Sequence, residues 1–142
     1  MGNETQPADE TDLTKAKDQK MDKILIIDDE APIRKMLKIL FEKNGYDVME
    51  ARDGVQAVKV FKELGADLII TDLIMPEKEG LETIKEIRKL NPDAKIIAIS
   101  GGGLVNPEMY LGLAKKLGAH CSFSKPLDNK ALLLTVKNLL AQ

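Results

Sequence analysis

Tryptophan is absent from this 142-residue chain, and only two tyrosines and three phenylalanines are present. So few flat rings leave little on which to stack nucleobases, which argues against a reader of single-stranded nucleic acid. Charge points the same way. Twenty-one Lys and Arg face 23 Asp and Glu, a formal net charge of −2, and no basic footprint for a phosphate backbone results. Cys121 is the single cysteine, so no internal disulfide can form, as fits a reducing compartment. With His120 as the one histidine, a His/Cys set for zinc is missing too. No apolar run approaches the ~18 residues of a spanning helix. The first twenty residues lack the apolar centre of a secretory signal. Gly2 follows Met1, but Gln6 stands where a myristoylation signal takes Ser or Thr. The chain reads as cytoplasmic, with no membrane contact and no direct nucleic-acid contact.

What is present is a globular composition, 44% hydrophobic and 31% charged, in a length that suits one domain with a core of its own. Residues 1–21 are set apart. Up to Lys20 they hold Pro7, five acidic residues and one large aliphatic, Leu13, too little apolar surface to offset the entropy of ordering. A flexible polar tail over 1–21 and a folded domain over 22–142 are expected, and Met21 is an alternative start.

From Lys23 onward, short apolar runs alternate with helical periodicity. Ile24-Leu25-Ile26-Ile27 is an uninterrupted, mostly β-branched run, as for a strand covered on both faces. Pro32 suits a first helical turn, and Ile33, Met36, Leu37, Leu40 and Phe41 fall on one helix face before Asn44-Gly45 stops it. Tyr46–Glu50 reads as a strand, Asp53-Gly54 as a turn, and Ala57, Val58, Phe61 and Leu64 as a second helix ending near Gly65. Asp67–Thr71 is the third strand. A helix from about Gly80 turns Ile84, Ile87 and Leu90 inward until Asn91-Pro92. Lys95–Ile99 is the fourth strand, followed by Ser100-Gly101-Gly102-Gly103. Asn106-Pro107-Glu108 starts a helix carrying Tyr110, Leu113, Ala114 and Leu117. A less apolar fifth strand spans Ala119–Ser124, and Asp128 caps a last helix. Strict alternation of five strands and five helices implies an α/β fold, a five-stranded parallel sheet wound with helices on both faces.

In such sheets ligands gather outside the carboxyl ends of the strands, where the strand order reverses. The first strand ends at Asp28 and Asp29, the third at Asp72, the fourth at Ser100 and the fifth at Lys125-Pro126. In the flavodoxin-like order 2-1-3-4-5 these residues share one rim. Carboxylates crowded together repel unless a cation intervenes, and Mg²⁺ is the small oxygen-seeking ion that suits them. With the charge reduced, Asp72 can attack a phosphoryl group and become an acyl phosphate, while Ser100 and Lys125 hold the added oxygens.

Four motifs carry a family resemblance: Ile26-Ile27-Asp28-Asp29-Glu30; Thr71-Asp72-Leu73-Ile74-Met75-Pro76 with Gly80; Ile99-Ser100-Gly101; and Gly118-Ala119 with Ser124-Lys125-Pro126. In this order, each after its strand, they resemble the receiver domains of two-component response regulators, the single-domain chemotaxis regulator being the simplest relative. The resemblance covers about Lys23–Leu140. It implies that Asp72 accepts phosphate from the phosphohistidine of a sensor histidine kinase or phosphotransfer protein. It implies Mg²⁺ held by Asp28, Asp29, Asp72 and the carbonyl of Ile74. Ser100 and Lys125 would bind the phosphoryl group, with Lys125-Pro126 in cis. A downstream protein target would dock on the face of the fourth helix, fifth strand and fifth helix. The chain ends after the last helix, so a single-domain regulator acting by protein contact is expected.

Three departures from the family pattern stand out. Ser122 occupies the position of the usual aromatic, three residues before the lysine, which argues against an aromatic switch; Ser100 and Ser122 are the switch positions. Glycine follows Ser100 where alanine is more usual. Ile74, two residues past Asp72, is apolar where polar residues are frequent.

An aspartyl-phosphate phosphohydrolase of the haloacid dehalogenase type needs a second Asp at position 74, to act as acid and base. A nucleotide-binding module lacks its motif, since Ser100–Gly103 is not followed by Lys-Ser or Lys-Thr. A phosphorylation-independent interaction module of the same fold is the main alternative. The expectation is a signalling switch, with self-phosphorylation and slow self-dephosphorylation as its only chemistry. His120, Cys121 and the methionines read as structural, and Lys115-Lys116 as a solvated helix face.

Overall fold

The sheet is built from runs that cannot face water. Ile24–Ile27, Leu68–Ile70 and Ile96–Ile99 are each at most 1% exposed, so both faces of these strands are covered. The computed structural model describes residues 21–73, 80–101 and 107–142; of the expected tail at 1–21, residues 1–20 lie outside them. In chain order the elements are Lys23–Ile27 (β1), Ala31–Lys43 (α1), Asp47–Ala51 (β2), Gly54–Leu64 (α2) and Leu68–Asp72 (β3). Gly80–Leu90 (α3), Lys95–Ser100 (β4), Pro107–Lys116 (α4), Cys121–Ser124 (β5) and Asn129–Leu140 (α5) follow.

All strand pairs are parallel, in the order β2-β1-β3-β4-β5. Alternate residues of each strand serve two cores. Leu25, Ile27, Ile69 and Ala98 pack with Phe61, Ile84, Ile87 and Ala114, beneath α2, α3 and α4. Ile24, Ile26, Leu68, Ile70, Ile97 and Ile99 pack with Leu37, Phe41, Leu132 and Val136, beneath α1 and α5. Strand order reverses between β1 and β3, and this opens the crevice that Asp28 and Asp72 enter.

Local chemistry sets the helix ends. Gly45 and Gly65 follow α1 and α2 with φ of +90° and +70°, a region costly for any residue with a Cβ. Asp53 proves to be a helix cap and not merely a turn residue: its carboxylate accepts from the Gln56 amide at 2.8 Å. Asp128 caps α5 in the same manner, accepting from the Ala131 amide at 3.1 Å.

Among the described residues, four expected core residues lie on the surface. Leu64 and Leu90 are the last residues of their helices and are 54% and 46% exposed. Met36 and Leu113 are 37% and 41% exposed, each displaced by one residue (~100° around the helix) from buried Leu37 and Ala114. The apolar stripe is therefore narrower than periodicity suggests. Strand β5 begins at Cys121, not at Ala119, and as an edge strand it leaves Cys121 half-buried.

Candidate functional site

Strand β1 delivers Asp28 into the crevice. Its side chain is buried because the Asp28 amide continues the sheet, donating to the Ala51 carbonyl at 3.1 Å. Asp28 Oδ1 accepts from the Glu30 amide at 2.8 Å, a local turn that tightens the entry to α1. The Asp28 carbonyl is held in turn by Arg34 Nη1 at 2.7 Å. Asp72 closes β3, where its neighbour Leu73 donates to the Ile99 carbonyl at 3.0 Å. Asp72 is 4% exposed and Ser100 3%.

Lys125 reaches the carboxylates from the far edge of the sheet. Its amide donates to the Ser100 carbonyl at 3.0 Å, and the Lys125-Pro126 bond is cis. Its Nζ lies 3.2 Å from Asp72 Oδ2, 3.0 Å from Asp28 Oδ2 and 2.5 Å from Glu30 Oε2. Burial alone would lower the lysine pKa, but its hydrogen bond to Glu30, its close contact with the Asp28 carboxylate and the charge of Asp72 outweigh it. The ammonium is held well above its usual range. Burial raises the Asp28 pKa, against the opposing pull of the Glu30 amide and of Lys125.

The structure brings Asp28, Asp29, Asp72 and Lys125 together. One carboxylate oxygen from each of Asp28, Asp29, Glu30 and Asp72 falls within 4.8 Å of the others. A donor set made only of carboxylate oxygens suits a small, hard cation. Asp28 Oδ2 adds a second sign of fit. It is buried and accepts no well-aligned hydrogen bond, meeting Lys125 as a charge contact only.

Ser100 stands at the same rim, yet its hydroxyl pairs with Ser124 Oγ at 3.3 Å. Ser122 is exposed, beside a hollow of about 420 Å³ lined by Ala98, Leu111, Ala114, Ala119 and Cys121 among others. Phe123 points to the opposite face, against the α1 and α5 core. Ile74 and Gly102–Gly103 lie outside the described residues.

Glu30 and Ser124 also belong to the site. In the sequence Glu30 is the third acid in a row after Asp28 and Asp29, and Ser124 is a hydroxyl directly before the lysine. Gly80 has a definite task. A Cβ there would collide with the Asp72 carbonyl oxygen and lie 2.6 Å from Leu73 Cα, and the Gly80 amide donates to the Leu73 carbonyl at 2.9 Å.

A family model described as the response regulator receiver domain matches residues 24–137. The chain belongs to this family. The receiver is 48% identical to the chemotaxis protein CheY of Thermotoga maritima over 82 residues, 57% of this chain and 68% of that one. It is 31% identical to sporulation initiation phosphotransferase F of Bacillus subtilis, covering 84% of this chain and 94% of that one. A receiver domain protein of Clostridium thermocellum superposes with a TM-score of 0.77 at 32% identity, over 85% of this chain and 95% of its own. The chain is thus a signalling receiver of two-component systems. No helix among its described residues is long and apolar enough to cross a membrane.

Proposed function

We propose that this receiver is a phosphorylation-controlled switch whose phosphoacceptor is Asp72. The observation that carries the reading is Lys125 Nζ lying 3.2 Å from Asp72 Oδ2 and 3.0 Å from Asp28 Oδ2 at one crevice. A buried carboxylate sits beside a fixed cation, with other acids in reach. The donor is the phosphohistidine of a sensor kinase or phosphotransfer protein. An Asp72 oxygen attacks phosphorus, the new P–O bond forms as the P–N bond breaks, and the histidine nitrogen leaves with the electron pair.

Asp28, Asp29 and Asp72, with the Ile74 carbonyl, would hold Mg²⁺. When bound, the ion offsets carboxylate charge and that of the phosphoryl oxygens. The chain's own residues orient the reaction: the β1 and β3 ends fix the two aspartates, and Lys125 offers a donor to the new phosphoryl group. Ser100 exchanges its bond to Ser124 for a phosphoryl oxygen, so that occupancy of Asp72 is felt at β5. A downstream protein reads that change by contact.

The test is uptake of one phosphate from acetyl phosphate with Mg²⁺. Wild type should be labelled and Asp72→Asn should not; equal labelling would end the proposal. Dephosphorylation is slow in this reading, since Ile74 offers no group to orient an attacking water. Ile74→Asn should shorten the lifetime of the phosphorylated form, and an unchanged lifetime would remove that part.

A further inference from the structure

Glu30 is the N-cap residue of α1, yet its side chain makes no capping hydrogen bond. Asp or Ser at that place would turn inward to the free amides of the first turn. Glu30 instead sends its carboxylate across the crevice to Lys125, 95 residues away in the chain, at 2.5 Å. Among the described residues that is the shortest of three carboxylate contacts of this ammonium, ahead of Asp28 at 3.0 Å and Asp72 at 3.2 Å.

The three acids differ in what they can give up. Asp28 and Asp72 are 1% and 4% exposed and are fixed at strand ends, so neither can return its charge to water. The Glu30 side chain is 54% exposed on a flexible stem, and its backbone is anchored separately, its carbonyl accepting from the Ile33 and Arg34 amides at 3.1 and 3.2 Å. An ammonium has three N–H donors. Glu30 and Asp72 accept hydrogen bonds from two of them, and Asp28 crowds the remaining approach. A phosphoryl oxygen arriving on Asp72 has to win a donor from one of these partners. Glu30 is the one whose release costs least.

We propose that Glu30 is a positioning residue that competes with the phosphoryl group for Lys125. It holds the ammonium over the crevice in the resting state and yields its donor when Asp72 is modified. This inference rests on the reading of Asp72 as phosphoacceptor. Contact, not general charge, is the essence of it, which gives a sharp test.

The probe is beryllofluoride at saturating Mg²⁺, titrated by calorimetry into the full chain. Glu30→Gln removes the charge and Glu30→Asp keeps it but falls short of Lys125. Both should bind beryllofluoride roughly two- to fivefold more tightly than wild type, the range expected for freeing an exposed ion-pair partner. In parallel, the ¹⁵N-labelled Lys125 ammonium signal should shift in both variants before any ligand is added. Glu30→Gln binding no tighter than wild type overturns the proposal. So does Glu30→Asp at wild-type affinity beside a tighter Glu30→Gln, because a field effect then explains the gain. Failure of the underlying reading looks different: wild type takes up no beryllofluoride, or Asp72→Asn takes up as much.

Discussion

Gly80 lies so close to Asp72 that a Cβ on residue 80 would collide with the Asp72 carbonyl oxygen. The first residue of α3 thus touches the backbone of the proposed phosphoacceptor, with no flexible side chain between them to give way.

Gly80→Ala should therefore move either the start of α3 or the end of β3. Overpacking of this kind costs about 1–3 kcal/mol, toward the upper end here because both partners are backbone. Chemical denaturation would show the loss, and beryllofluoride binding should weaken with it. Wild-type stability in Gly80→Ala would mean that the contact relaxes freely.

Arg88, in the last turn of α3, ties the α3–β4 connection to the turn before β5. Its guanidinium donates to the carbonyls of Pro92 at 2.5 Å, Ala94 at 2.7 Å and Gly118 at 2.9 Å. The Gly118 backbone, at φ +112°, comes near enough that a Cβ would meet Arg88 Nε at 2.8 Å. Arg88→Met keeps much of the stem but strands these carbonyls, so a loss of about 2 kcal/mol is expected. Beryllofluoride affinity should hold, since Arg88 is remote from the crevice. A variant as stable as wild type would show that water replaces the guanidinium without loss.

The strands and the ends of the sheet were legible in the sequence for a simple reason. Ile24–Ile27 and Leu68–Ile70 are covered on both faces, so each appears as an unbroken apolar run, and the charge that ends it marks the crevice. Asp28 and Asp72 could be read that way; Ser100 and Lys125 joined them on one rim only through the expected strand order 2-1-3-4-5. Glu30 and Ser124 could not be given partners. Their contacts depend on how far a side chain reaches across β1, β3, β4 and β5, which no local pattern encodes. Periodicity also overstated the core: Leu64 and Leu90 keep the helical spacing but close their helices at the surface. The arginine that gathers Pro92, Ala94 and Gly118 looked like any other charge in a helix's last turn.

His120, whose ring keeps contact with solvent, gives the fold a modest acid sensitivity. Its Nδ1 accepts from the Ile96 amide at 3.2 Å, and burial, then the charges of Arg88 and Lys95, hold the ring below its usual pKa. The unfolded ring takes its proton near pH ~6.5, the folded ring only at lower pH. Below about pH 6.5 the unfolded state therefore binds more protons, and stability falls as pH drops through that window. Asp28, with a raised pKa, works in the opposite sense, but it is common to wild type and variant. The fall in Tm between pH 7.5 and 5.5 should be smaller in His120→Asn than in wild type. An equal fall in both would assign the sensitivity elsewhere.

Ser122 makes the last case, because an absent ring leaves a measurable space. The hollow of about 420 Å³ beside it is walled by small side chains, Ala98, Ala114 and Ala119, with Leu111 and Cys121. Strand register fixes Ser122 opposite Ala98, on the α4 side of the sheet, so a larger side chain at 122 starts out toward this space. Full burial of a phenylalanine side chain stabilises by about 1.5–3 kcal/mol, and partial burial at an edge strand by roughly half of that. Ser122→Phe should raise Tm by about 3–5 °C, in line with a gain of about 1 kcal/mol in a domain of this size. A lower Tm would mean that the hollow closes in solution and that the ring is forced into water. In that event the serine matches a collapsed α4–β5 contact, and the coupling from Ser100 to β5 rests on the Ser124 hydroxyl alone.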